Sequence, residues 1–159
     1  MDLTLSPIGL IHSPIDSPKN APIQPQGAAN MQGTMEVYPD YTAGLADLEG
    51  FSHLYVLYHF HLAHRTELVV TPFMDTSKRG VFATRSPLRP NHIGISILQL
   101  LSIKENILHV QGIDIVDQTP LLDIKPYIHA FDAVEQSRSG WMQADKAQVA
   151  QKRSDDRFL

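Results

Sequence analysis

Residues 95–116 read ISILQLLSIKENILHVQGIDIV. The two halves, Ile95 to Ile103 and Ile107 to Val116, are apolar and rich in β-branched residues, and Lys104, Glu105 and Asn106 divide them. Two such runs around a short polar break read as an antiparallel β-hairpin. Outward from it, His53 to Leu62 alternates. Leu54, Val56, Tyr58, Phe60 and Leu62 share a face suited to a core, while His53, Tyr55, Leu57, His59 and His61 share one suited to a pocket wall or a subunit contact. Leu3 to Ile11, Met31 to Tyr38, Glu67 to Phe73, Gly80 to Thr84 and Leu121 to Ile124 are further extended segments, and Tyr41 to Asp47 is a short helical turn stopped by Gly50. Residues 13–30 hold Pro14, Pro18, Pro22 and Pro25 and form a long irregular loop.

Short strands separated by proline- and glycine-bearing turns point to a mainly β fold, an antiparallel sandwich or small barrel. A doubly wound fold needs helices of ten or more residues between strands, and only the end of the chain could supply one. The reading therefore divides the chain into a β domain over 1–136 and a polar, weakly helical tail over 137–159, either part of the same single domain or frayed.

Apolar residues make up 43% and charged residues 19% of 159 residues, an ordinary globular balance that fits one domain. No cysteine is present, which excludes disulfides, thiolate metal sites and cysteine nucleophiles and agrees with a cytoplasmic setting. No signal peptide or membrane span is expected, because no basic region precedes an apolar stretch and no apolar run approaches spanning length. The net charge is −4, yet Lys78, Arg79, Arg85 and Arg89 lie within the fifteen residues 75–89, which hold one acid, Asp75. That patch reads either as a solvated basic loop or as a contact for an anionic partner.

The run GVFATRSPLRPNHIGIS, residues 80–96, carries two of those arginines and has no helical period. Pro87 and Pro90 fix φ and restrict their preceding residues, so they stiffen a loop that presents Arg85 and Arg89. A rigid loop bearing cationic forks reads as a binding loop. No dinucleotide fingerprint or Walker pattern occurs. His53, His59, His61 and His64 cluster in sequence, but no acid lies between them, so they read as hydrogen-bonded or ligand-facing and no metal site is expected. Asp114 and Asp117 stand at a strand end, where a carboxylate can act as a base, hold ribose hydroxyls or open a turn. Asp123, Lys125 and Tyr127 surround an apolar run beside Pro126.

Together with IGLIHSP near the start, the segments LEGFSHLYVLYHFH, GVFATRSPLRPNHIGIS and DIVDQTPLLDIKPY resemble the signature blocks of the TsaA-like family, whose described members are TrmO-type tRNA methyltransferases. The resemblance covers residues from about 6 to 132. It implies a compact antiparallel β-barrel with short helices and long loops, assembled as a homodimer, that uses S-adenosylmethionine without a glycine-rich loop. The implied reaction is methylation of N6 of threonylcarbamoyl-adenosine at position 37, in the anticodon loop of tRNA. The family's cofactor segments fall on Gln24, Pro25 and Gln26, on His61 and Leu62, on Arg85, on Ile97, and on Val116, Asp117, Gln118 and Thr119. The chain departs from the family pattern at Ile23, where an arginine is usual, at His92, and at Gln118, where the turn usually has glycine.

In-line methyl transfer requires alignment and exclusion of water, and a carbamoylated N6 needs a proton acceptor nearby. Asp114, Asp117 and Tyr127 are the catalytic candidates, and Arg89, Asn91 and Lys125 the substrate-binding ones. A cofactor-binding regulatory module and a methyltransferase for a small molecule stand as alternatives.

Overall fold

The computed structural model describes residues 1–159, apart from the side chains of Pro25 and Gln26, whose expected cofactor contacts lie outside the described residues. Eight strands form: β1 (Gly9–His12), β2 (Gln32–Val37), β3 (His53–His59), β4 (Val69–Val70), β5 (Arg79–Gly80), β6 (Ile93–Lys104), β7 (Ile107–Gln111) and β8 (Thr119–Pro126). Six of them close into an antiparallel barrel in the order β1-β2-β7-β6-β3-β8, with β8 returning to β1; β4 and β5 make a separate ribbon. Between sandwich and barrel, the chain has built the barrel. Two short helices follow, α1 (His129–Asp132) and α2 (Lys146–Gln151).

The barrel is filled from alternate positions of its strands. Leu54, Val56 and Tyr58 point inward from β3, Leu98 from β6, Leu108 and Val110 from β7, Met35 and Val37 from β2, and all are buried. Closure removes the exposed sheet edges that an open sheet of this size would present.

The hairpin of β6 and β7 forms at Glu105, which adopts φ 57°. β7 is shorter than the sequence suggests. Gly112 takes φ +84°, which ends the strand, and residues 113–118 cross the barrel mouth with Ile113 and Ile115 buried as its plug. β8 begins earlier than expected, since Thr119 and Pro120 already pair with Ile11 and Leu10. Similarly, β3 stops at His59, so Leu62 leaves the core face and is exposed. Only Gly9–His12 of the first segment pairs, and Val81–Ala83 forms a 3-10 turn in place of extended chain.

The tail folds back onto the rest of the chain. Asp145 and Gln148 form a reciprocal capping box at the start of α2, and Val149 is buried. Ser154 then pairs with the long loop: its N–H donates to Ala21 O at 2.8 Å, its Oγ accepts from Ala21 N–H at 2.7 Å, and its hydroxyl donates to Pro18 O.

Candidate active site

Three side chains from three elements form a hydrogen-bonded row at the barrel mouth. Tyr58 Oη lies 3.2 Å from Ser96 Oγ, and Ser96 Oγ lies 2.7 Å from Asp114 Oδ1. An ionised carboxylate only accepts, so Ser96 donates to Asp114 and Tyr58 donates to Ser96. Gly94 makes the row possible. It sits opposite Tyr58 in register, and a Cβ there would stand 2.3 Å from the Tyr58 ring. Burial pushes the Asp114 carboxyl up to about 6, against the pull of the Ser96 hydrogen bond and the Arg85 charge. Burial likewise pushes the Tyr58 phenol far above its ordinary value, so it stays a donor.

Asp114 lines a pocket of about 270 Å³. Its floor is Tyr58, Gly94 and Val116, and His61 and Leu62 stand on one side. The Thr119 hydroxyl donates to Val116 O at 2.7 Å, which uses its single proton. His61 Nδ1, 3.3 Å away, must therefore donate to Thr119, leaving Nε2 as an acceptor. Burial, with His59 as a neighbour, lowers the His61 pKa and keeps the ring neutral at pH 7.

Arg85 closes another side, and its Nη1 donates to Gln24 Oε1 at 2.5 Å, joining the binding loop to the long loop. Arg89 turns back on its own loop and donates to Thr84 O at 3.1 Å and Ser86 O at 3.4 Å. The two arginines thus differ: Arg89 braces the loop, and Arg85 is presented by it. Phe158 and Leu159 of the tail complete the wall, and Arg65 donates to the backbone oxygens of Arg157 and Leu159.

The expected residues divide by place. Gln24, His61, Leu62, Arg85, Arg89, Asp114, Val116 and Thr119 line the pocket. Asp117 and Gln118 sit at its outer lip, near His12: Gln118 Nε2 is 3.1 Å from His12 Nδ1, and Asp117 Oδ1 is 3.5 Å from it. Partial burial raises the Asp117 carboxyl, but the Ser13 N–H, Gln118 and His12 together hold it below the ordinary carboxylate range. Gln118 accepts the turn geometry that glycine would suit, at φ 62°. Asn91 is exposed on the turn that leads into β6.

Ile97, Lys125 and Tyr127 lie elsewhere. Ile97 is on the outer face of β6, opposite Tyr55, and Lys125 is opposite Tyr55 on β8. Tyr127 follows the far end of β8 from Thr119, roughly 26 Å along an extended chain at about 3.3 Å per residue. Its ring packs 5.6 Å from that of Tyr55. Lys125 Nζ is 3.1 Å from Asp123.

Sequence reading missed Tyr58, Ser96 and the tail. One signal was available for Ser96: a serine interrupts the apolar inward positions of β6, and a polar group there needs a buried partner. Among the described residues, no group of three or more metal-ligating side chains converges. No helix among the described residues is long and apolar enough to cross a membrane.

A family model described as "tRNA-methyltransferase O N-terminal domain" matches residues 10–133. A Pyrococcus abyssi protein described as "Probable S-adenosyl-L-methionine-binding protein" is 50% identical over 153 residues, covering 96% of this chain and 83% of that one. A Mus musculus protein described as "tRNA (adenine(37)-N6)-methyltransferase" is 34% identical over 140 residues, covering 83% of this chain and 32% of the mouse protein. The crystal structure of TrmO from Pseudomonas aeruginosa aligns with a TM-score of 0.77 at 39% identity, covering 91% of this chain and 64% of that one. The chain thus spans less than two thirds of that solved chain and about a third of the mouse protein.

Proposed function

The chain belongs to the tRNA-methyltransferase O N-terminal domain family, and on that premise we propose that it methylates N6 of threonylcarbamoyl-adenosine at position 37 of tRNA, in the anticodon loop, with S-adenosyl-L-methionine as donor. The observation that carries the reading is the convergence of Gln24, His61, Leu62, Arg85, Val116 and Thr119 on the pocket that Asp114 lines. Four separate segments supply them, and the closed barrel with its folded-back loops brings them together.

The residues fit the donor's chemistry. Leu62 and Val116 offer apolar surface for an adenine ring, and His61 Nε2 is an acceptor for an amino group. Arg85 and Gln24 are polar groups suited to a carboxylate. Bound there, S-adenosyl-L-methionine supplies a methyl group activated by its sulfonium. Asp114 accepts the proton from N6, and the Ser96–Tyr58 row fixes the carboxylate in place. Ile115 and Phe158 give the pocket wall apolar surface, which favours expulsion of water when the donor binds.

The same reading includes a homodimer in the cytoplasm. Tyr55 and Leu57 pair with Ile97 and Ile95 on the barrel's outer face, and Ile95 and Ile97 are 49% and 41% exposed. Ile95 also lines the pocket, so this apolar patch runs up to the site and a second copy seated on it would adjoin the donor. Sedimentation tests this: the wild type is expected to run as a dimer and Ile97→Glu as a monomer, and a monomeric wild type would remove the dimer from the account.

The net charge of −4 favours a second reading, a small-molecule acceptor. Isothermal titration with S-adenosylhomocysteine, followed by methyl transfer to tRNA at rising salt, separates the readings. A tRNA acceptor requires activity that falls steeply with salt, through counterion release. Binding with no transfer to tRNA would reject the proposed reaction.

A further inference from the structure

A second cavity, of about 550 Å³, lies beside the donor pocket, within the ordinary size range of ligand sites. The two share Gln24, Phe73, Thr84, Arg85 and Phe158 as a common wall, so a group held in the second is next to whatever the first contains. The far wall comes from Ser139, Trp141, Met142 and Val149 of the tail, beyond the residues 10–133 that the family model matches. Its lining is aromatic and sulfur-bearing: it includes Trp141, Met74, Met142 and Phe82, the last 74% exposed on the 3-10 turn that precedes Arg85.

The Trp141 ring is held in place. The Trp141 indole N–H donates to Ala83 O at 2.8 Å, tying the tail to the turn that carries Phe82. The Arg79 guanidinium covers Trp141 at 5.7 Å, and Asp75 fixes Arg79 at 2.6 Å. Arg85 and Lys146 are cations at the walls, and the one acid there, Asp145, already accepts from Gln148 N–H at 2.8 Å.

Resting on the methyl-transfer reading above, we propose that this second cavity receives a base flanking the acceptor nucleotide of single-stranded RNA, with Phe82 and Trp141 as its stacking surfaces. Aromatic rings beside cations suit a planar base joined to phosphates. The tail is then part of the RNA site, and the shared wall at Arg85 sets the flanking base beside the first pocket, where Asp114 meets the acceptor nitrogen.

Trp141 is the only tryptophan in the chain, so its fluorescence reports on this cavity alone. The full chain, saturated with S-adenosylhomocysteine, is titrated with an anticodon stem–loop RNA. Saturable quenching of Trp141 is expected. Phe82→Ala, a change at an exposed ring, is expected to raise the KM for tRNA by roughly tenfold or more, since an aromatic–base stack has that worth. Its affinity for S-adenosylhomocysteine stays unchanged, which a general loss of fold would not allow. RNA that is bound and methylated without quenching, with a wild-type KM in Phe82→Ala, would overturn the role of this cavity and leave the proposed reaction standing. A wild-type protein that methylates no RNA at all would overturn both.

Discussion

Replacing Asp114 with asparagine should stabilise the protein and disable it at once. The folded protein raises the Asp114 carboxyl from 3.8 to about 6 because the barrel mouth desolvates its charge. At about 1.36 kcal/mol per pK unit, holding that carboxylate ionised at pH 7.5 costs about 3 kcal/mol. Asparagine keeps an acceptor for Ser96 and removes the charge, but its amide N–H₂ must find its own place, so a gain of roughly 1–2 kcal/mol is expected. For a chain of this size that raises Tm by roughly 2–8 °C. The sign follows from linkage. Between pH 3.8 and about 6 the folded state holds a proton that the unfolded chain has released. This contribution to stability is therefore present below 3.8 and is lost as pH rises through about 6. Thermal melts of the two proteins should differ most above pH 6 and converge near pH 4. Activity runs the other way. As the proton acceptor Asp114 must be ionised, so kcat of the wild type should rise with pH through about 6. Asp114→Asn should lose roughly 10²–10⁴-fold at pH 7.5 while binding S-adenosylhomocysteine as before. A variant that melts lower than the wild type at pH 7.5, or that retains its kcat, would refute the assignment of Asp114 as a desolvated base.

Two further outcomes follow from the same geometry. Arg85→Ala breaks the 2.5 Å contact with Gln24 and should weaken S-adenosylhomocysteine binding by roughly ten- to a hundredfold in isothermal titration, with Arg85→Lys restoring little because the fork is lost. Gly94→Ala places a Cβ against the Tyr58 ring and should destabilise the barrel by roughly 1–3 kcal/mol in urea unfolding, while displacing the Tyr58–Ser96–Asp114 row and lowering kcat.

The barrel was legible where a local pattern reports a tertiary fact. The alternation of His53 to His59 arises because Leu54, Val56 and Tyr58 fill a closed interior, and the polar break at Lys104 to Asn106 marks a real hairpin. Reading failed where one residue's meaning depends on a distant partner. Gly94 looks like a turn glycine in a proline-rich run, yet it lies within β6 and makes room for a ring from β3. Ile113 to Val116 has the composition of a strand, but Gly112 ends the ladder and sends the segment across the barrel mouth. The tail was the least legible element. Its polar composition suggests fraying, and long-range contacts hold it against the site instead: Ser154, Trp141 and Arg157 bond to residues 18, 21, 83 and 72, and Arg65 donates to the backbone of Arg157 and Leu159. For the site, Arg85 and Thr119 were reachable from sequence because they stand in long motifs. Lys125 and Tyr127 stand in one of those motifs and Ile97 just after the other, yet alternation along β6 and passage along β8 send them to another face or end of the barrel.

The central claim is that the pocket around Asp114 transfers a methyl group to a modified adenine in tRNA. The direct test incubates the protein with S-adenosyl-L-methionine and tRNA that contains threonylcarbamoyl-adenosine, then digests the RNA and weighs its nucleosides by mass spectrometry. The expected result is that this nucleoside gains one methyl group on N6, and that Asp114→Asn largely abolishes the gain. Unmodified nucleosides from a reaction in which the protein demonstrably binds S-adenosyl-L-methionine would contradict it.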